Sequence, residues 1–370
     1  ELEENIDTRA LYLCYYRCCE PEEIISVIEE IWESHSYTVW PAPYNKLPPD
    51  ARLFEFLKAF IQSPFVLVDE DKEMQFREQL VEVYGRLVRI PSLSQKSRTL
   101  SDLRAVLEFV KKSKTQDSIS QLCDLNTLLA GAQQEEATFD IQKYSTDDIA
   151  KQLVYIHADL YGQLQITELL DLRYEKNASS AVSLNKIHAF SNKIYLMVPT
   201  TILQSDDPHI QREVLKRWIA VSETLTQMRD YNSAIQIVNG LAETSVSRLN
   251  YLREELTVKW QERMEKLENQ YSPVGNFAKY RKLSKNSPCI PFVGVALKDL
   301  VYAYEGNPSK TENGAINFDK MRLIAEIVFS LKGTDYSHVK FDPQIAQELL
   351  NFQPLDQKEL YARSTLIKER

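Results

Sequence analysis

The run Ser287-Pro288-Cys289-Ile290-Pro291-Phe292-Val293-Gly294-Val295-Ala296-Leu297-Lys298-Asp299-Leu300-Val301-Tyr302-Ala303-Tyr304-Glu305-Gly306-Asn307-Pro308 decides how this chain is built. Pro291 has the fixed φ that suits the first turn of a helix, and Gly306 followed by Pro308 stops one. Between them lies an apolar helix of about 14 residues. A polar loop follows, and Asn317 opens a second helix in which Phe318, Met321, Leu323, Ile324, Ile327, Val328 and Leu331 recur at helical spacing, with Gly333 as the C-cap. Two helices joined in this way form an αα-hairpin. Val301 and Glu305, four residues apart, share a face of the first helix. Periodicity alone makes Val301 a core residue and Glu305 a surface charge.

The rest of the chain reads the same way. Glycine occurs only 9 times in 370 residues, where an average composition would give roughly 26. Ile149, Leu153, Ile156 and Leu160 fall on one helical face, as do Leu249, Leu252, Leu256, Trp260, Met264 and Leu267. Strict two-residue alternation is rare, so the expected fold class is all-α. No internal repeat supports a solenoid. Breaks fall at 41–49, around 91–99 and at 131–146, the last polar and without periodicity. Residues 1–140 carry 15 basic and 25 acidic side chains, whereas 141–370 carry 29 and 28. The charge shift coincides with the third break, which sets an expected boundary near 140 between an N-terminal helical domain, 1–140, and a second domain, 141–370.

Several function classes are excluded. No two glycines lie closer than eight residues, so dinucleotide-binding, P-loop and nucleophile-elbow signatures cannot be present. Neither part has the basic excess of a phosphate-backbone binder, and nucleic acid is not an expected partner. No apolar run approaches a membrane span, so direct transmembrane anchoring is not expected. The odd count of Cys14, Cys18, Cys19, Cys123 and Cys289, without paired spacing, fits a reducing compartment. Cys14, Cys18 and Cys19 have no histidine at zinc-ligand spacing and read as buried thiols, and the apolar setting of Cys289 between two prolines raises rather than lowers its pKa. The five histidines, His35, His157, His188, His209 and His338, are scattered and read as surface or packing residues. Nothing announces covalent chemistry.

Six patterns in one order, from Ile149 to Ser364, resemble the catalytic domain of the Ras-family guanine nucleotide exchange factors, typified by the son-of-sevenless proteins. The family's P-C-(I/V)-P-(F/Y)-x-G stands at Pro288 to Gly294, and its N-F-x-x-Y-R-x-x-L at Asn276, Phe277, Tyr280, Arg281 and Leu283. Its I-N-F-x-K stands at Ile316, Asn317, Phe318 and Lys320. Asp230-Tyr231-Asn232-Ser233-Ala234-Ile235, then Asn239-Gly240-Leu241 and Arg248-Leu249, are similar to another family run. The opening motif is matched by Ile149-Ala150-Lys151-Gln152-Leu153 with Glu168-Leu169 after it, and the last helix by Leu360-Tyr361 and Ser364. Lys151 and Val154 replace the usual Arg and Thr, Asp230 stands where Asn is common, and His188 lies near a position often held by Arg, onto which no function is carried.

The resemblance implies a catalyst that promotes GDP release from a Ras-superfamily small GTPase without covalent chemistry and without a cofactor of its own. On the hairpin, Val301 becomes the apolar blocker of the magnesium site and Glu305 the carboxylate that mimics phosphate. Tyr302 and Asn307 become contacts of the displaced switch 1. Phe292 and Phe277 match an apolar pocket for switch 2, with Asn276, Tyr231 and Asn232 beside it. Arg248 and Gln152 read as buried hydrogen-bond partners that hold helices together. The partner is a Ras, Rap or related GTPase, bound most tightly when nucleotide-free. The implied location is the cytoplasm, at membranes carrying the lipidated GTPase; a eukaryotic regulator and a bacterial effector acting in host cytosol both fit. Residues 1–140 take the place of the family's N-terminal exchanger motif or form an unrelated regulatory domain. The alternative reading is a catalytically silent or autoinhibited GTPase-binding scaffold.

Overall fold

The computed structural model describes residues 139–368, apart from 178, 180, 286, 287, 315, 316, 332–335 and 337, together with residues 78, 79, 81 and 82. Those four are helical. The remainder of the N-terminal patterns, the breaks at 41–49 and 91–99, Cys14, Cys18, Cys19, Cys123, Ile316 and Gly333 lie outside the described residues. The described residues fall into two compact units, one of 139–168, 173–298 and 330–368, the other of 78, 79, 81, 82, 169–172 and 299–329.

The larger unit is built from α1 (Thr146–Gly162), α2 (Val182–Ile202), α3 (Pro208–Gln227), α4 (Tyr231–Leu241), α5 (Val258–Gln270) and α6 (Val274–Ser284). It also holds the start of α7 (Val293–Glu305), then α9 (Pro343–Asn351) and α10 (Gln357–Lys368). The second unit contains the end of α7 and α8 (Phe318–Ser330). No strand occurs among the described residues; Asp230 and Ile290 form an isolated parallel bridge. The chain is all-α.

Short polar side chains start these helices where the sequence places them. Ser145 Oγ accepts the Asp148 N–H ahead of α1, and Asp207 accepts the His209 N–H with Pro208 in the first turn of α3. The start of α2 has no side-chain cap of its own. Glu168 supplies one from a distance, its two oxygens accepting the Ser183 and Leu184 N–H groups at 2.9 Å each.

The apolar stripes then meet. α4 packs on α2 and α3, and α3 on α1. Ile149, Leu153 and Ile156 of α1 are fully buried, as are Trp218, Ile219 and Leu225 of α3. Trp218 satisfies its indole N–H on Thr201 Oγ1 at 2.8 Å. α5 is tied to α3 by Arg263, whose Nε lies 3.0 Å from a Glu223 carboxylate oxygen. The run from Leu249 to Leu267, read as one helical face, is divided. Tyr251–Glu254 forms a single turn, and Thr257 is extended (φ −62°, ψ 150°) before α5 begins. Leu249, Leu252, Leu256, Met264 and Leu267 are nonetheless buried, because the turn reorients the chain without changing which side chains face inward.

Gly240 sets the α2–α4 distance. A Cβ there would stand 2.6 Å from Tyr195 O and 2.8 Å from Val198 Cβ, and the first of these is backbone that cannot rotate away. Gly240→Ala must therefore part the two helices. It is expected to lower stability by about 1–3 kcal/mol, the usual cost of overpacking, measured by urea unfolding; an unchanged midpoint would contradict this packing.

Candidate functional site

The site grows from the segment ahead of α7, where nearly every backbone polar group is held by the larger unit. Ile290 donates its N–H to Arg229 O and accepts the Tyr231 N–H, each at 3.0 Å. Pro291 O accepts the Tyr161 hydroxyl at 2.8 Å, and the Phe292 N–H donates to Tyr280 Oη at 2.8 Å. Val293 N–H donates to Asn232 Oδ1 at 3.2 Å, and Phe292 O accepts from Val295 and Ala296 as the helix begins. Pro291 thus lies just ahead of α7 rather than in its first turn, its carbonyl turned to the Tyr161 hydroxyl. Burial pushes Tyr161 well above its ordinary pKa and Tyr280 up to about 12, so both stay neutral hydroxyls. Cys289 is half-buried, and burial raises its thiol too.

Beside this clamp lies an aromatic pair. The Phe277 and Phe292 rings are 5.8 Å apart and inclined at 59°, and both side chains are half-buried. Phe277 reaches that position through three consecutive left-handed residues, Gly275 (φ 65°), Asn276 (φ 55°) and Phe277 (φ 60°). Such a run is costly outside glycine; Arg281 Nε on Asn276 O at 2.7 Å and Lys298 Nζ on Asn276 Oδ1 at 3.4 Å support it. Asn276 itself is exposed. Phe292, Val293 and Gly294 also border a groove of about 880 Å³, whose other walls include His188, Tyr195 and Glu243. Burial lowers the His188 pKa, which favours the neutral imidazole.

Tyr231 and Asn232 are placed differently from expectation. They are 2% and 0% exposed, so their side chains reach no surface. Tyr231 donates its hydroxyl to Leu283 O at 3.2 Å and stands edge-on to Tyr280, while Asn232 holds Val293 from beneath. Both hold the segment from within, because the first turn of α4 faces into the core. Gln152 and Arg248 join helices. The Gln152 amide donates to Lys340 O and accepts the Asp342 N–H, and the Arg248 guanidinium stacks on Tyr361 at 4.6 Å.

In the second unit the end of α7 presents Tyr302, 58% exposed, with Glu305 exposed and Val301 half-buried. Gly306 closes the helix, its N–H on Tyr302 O at 2.9 Å; a Cβ would lie 2.8 Å from that same oxygen. Asn307, half-buried, donates Nδ2 to Ala303 O at 3.1 Å and so satisfies another terminal carbonyl. Asn317 caps α8 through Oδ1 on the Lys320 N–H and ties the loop through Nδ2 on Pro308 O. Lys320 is 5% exposed, and its ammonium donates to Tyr304 O at 2.7 Å, Asn307 O at 2.6 Å and Ser309 Oγ at 3.2 Å. A cation at the carbonyl end of α7 meets the negative end of the helix dipole. The sequence supplied Lys320 only as a motif letter; its spacing from Asn317 was the available signal.

With this geometry in hand, comparison with known proteins defines the domain. Residues 148–322 match the RasGEF domain family, and this stretch is a RasGEF catalytic domain. The chain is 30% identical to Ras guanine nucleotide exchange factor K of Dictyostelium discoideum over 214 residues, 56% of this chain and 14% of that protein. It is 29% identical to Ras-specific guanine nucleotide-releasing factor 1 of Mus musculus over 184 residues, 48% of this chain and 15% of that protein. Ras guanine nucleotide exchange factor R of Dictyostelium discoideum is 26% identical over 329 residues, 87% of this chain and 18% of that protein. That last share exceeds what residues 141–370 can supply, so the likeness reaches into 1–140. The chain spans less than a third of the length of these relatives. No helix among the described residues is long and apolar enough to cross a membrane.

Replacing Lys320 by Met removes the donor from two carbonyls and a hydroxyl. Unmet buried acceptors cost about 1–3 kcal/mol, so the amides of Gly306 and Asn317 are expected to exchange with solvent roughly tenfold faster or more. Hydrogen exchange followed by NMR measures this, and unchanged protection would refute the role given to the ammonium.

Proposed function

We propose that this chain is a guanine nucleotide exchange factor for a Ras-family small GTPase, acting through the α7–α8 hairpin. The observation that carries the reading is the RasGEF match over a stretch whose hairpin ends in Val301, Tyr302 and Glu305 beside a Lys320-braced turn. A small GTPase holds its nucleotide through phosphates and Mg²⁺, which demands near-octahedral oxygen ligands. The Val301 side chain, placed beside that metal, supplies no ligand and displaces water that could. The Glu305 carboxylate, placed where a phosphate sits, repels it, and a dehydrated interface magnifies the repulsion. Tyr302 and Asn307 engage the displaced switch 1. The Phe277–Phe292 pair and the adjoining groove receive switch 2, since large half-buried aromatics are effective anchors. The nucleotide-free GTPase is bound more tightly than the loaded form, and this differential affinity drives release.

Residues 1–140 stand in this reading as an N-terminal helical domain that braces or regulates the catalytic one. The GTPase substrate and its lipid anchor, rather than a span in this chain, set where it acts. The test is release of fluorescent GDP from a panel of Ras, Rap, Ral and R-Ras proteins, with wild type, a fragment beginning at 141 and the double variant Val301→Asp/Glu305→Ala. Acceleration of one GTPase by wild type, reduced to the intrinsic rate by the double variant, is the expected outcome. Complex formation without acceleration, by both the full chain and the fragment, would replace exchange by a scaffold role.

A further inference from the structure

Four polar side chains that touch no surface are sealed beneath the start of α7. His157 of α1, Asp230 at the head of α4, and Asn232 and Ser233 in its first turn are each 0% exposed. Both ends of the Asn232 amide are committed. Oδ1 accepts the Val293 N–H at 3.2 Å, and Nδ2 donates to Ser191 Oγ at 2.7 Å and to His157 Nε2 at 3.2 Å. An amide nitrogen only donates, so Nε2 is bare and the ring proton sits on Nδ1. Nδ1 faces Ser233 Oγ at 2.7 Å and Asp230 Oδ2 at 3.2 Å, and Ser233 Oγ donates onward to Asp230 Oδ2 at 2.5 Å. Asp230 Oδ1 accepts the Ser233 N–H at 2.9 Å. Phe190 and Tyr161 stand edge-on to the imidazole, with ring centroids at 5.0 and 6.0 Å, and hold its plane. This is not a hydrolytic triad, because the serine is inaccessible and its hydroxyl points at the carboxylate.

The bonds therefore run in one direction, from Val293 to Asn232, to His157, to Ser233 and to Asp230. An acceptor-only carboxylate at the end sets the sense of every bond before it. We propose that His157 is a positioning residue for exchange: held as the Nδ1–H tautomer by Asp230 and Ser233, it fixes the Asn232 amide with Oδ1 toward Val293. That in turn fixes the first turn of the helix that carries Val301 and Glu305. The proposal rests on the exchange reading above. With the opposite tautomer, Nε2–H would face Asn232 and require Oδ1, leaving Nδ2 donor-to-donor with the Val293 N–H.

Asp230→Asn tests this with an isosteric side chain that still caps a helix. The Ser233 N–H keeps its oxygen, so the new amide nitrogen occupies the Oδ2 position and donates to Ser233 Oγ. The serine hydroxyl then turns to Nδ1, and the ring proton moves to Nε2. Nitrogen NMR of the full chain is expected to show Nδ1 protonated and Nε2 bare in wild type, reversed in Asp230→Asn, with loss of Val293 amide protection in the variant. GDP release should lose about tenfold in kcat with KM for the GTPase changed by less than about twofold. His157→Leu should show the same kcat loss. A merely structural role would lower the unfolding midpoint and leave kcat intact, which would overturn the proposal, as would an Nε2–H tautomer in wild type. Wild type without exchange on any GTPase would remove the exchange reading and this proposal with it, while the tautomer and amide measurements would still decide whether the bond chain exists.

Discussion

The structure depends on how the short segment from Ile290 to Val293 is held. An extended stretch inside an all-helical unit has no ladder or helix to satisfy its backbone, so the surrounding side chains must do so. Tyr161, Tyr280 and Asn232, with the backbone of Arg229 and Tyr231, take up that demand. Each bond contributes only about 0.5–1.5 kcal/mol net, but a buried group left without a partner costs about 1–3 kcal/mol. The second figure is the one that matters here. It makes any alternative path for the segment expensive, and so defines where α7 begins.

The two ends of the hairpin's first helix are secured by different physics. At its start, hydroxyl, amide and backbone groups satisfy one another in a dehydrated setting, where the direction of each bond decides the fit. At its end, a nearly buried ammonium gathers the terminal carbonyls of Tyr304 and Asn307, and charge decides it. Neither device uses the face that carries Tyr302 and Glu305. The Glu305 carboxylate stands exposed at that end, whereas Asn307 also closes α7 through its bond to Ala303 O.

The helical class, the two helices on either side of the Pro308 turn and the stop at Gly306 were legible in the sequence because each rests on local chemistry: helical spacing, a proline near the start and a glycine at the end. The burial of Tyr231 and Asn232 was not legible. A motif names residue types, whereas the side of α4 that faces inward depends on α1 and α2, which are distant in sequence. His157 was equally opaque, since one histidine on an apolar face shows none of its partners. The left-handed run at 275–277 had Gly275 as its only sign, and nothing local told that Asn276 and Phe277 would share its conformation. The division of the Leu249–Leu267 stripe was hidden because its leucines and Met264 remain inward on both sides of the break, with Trp260 half-buried.

The hydrogen-bonded foot of α7 also limits how the chain can change in length. Inserting or deleting one residue between Pro288 and Val293 would shift every later donor and acceptor out of register with Arg229, Tyr161, Tyr280 and Asn232. Beyond Pro308 and Ser309, which are tied to Asn317 and Lys320, the turn up to Gly314 is solvent-facing along its length and takes added residues more readily. Length polymorphism among descendants of this gene should therefore collect at the hairpin's tip and be absent from its foot.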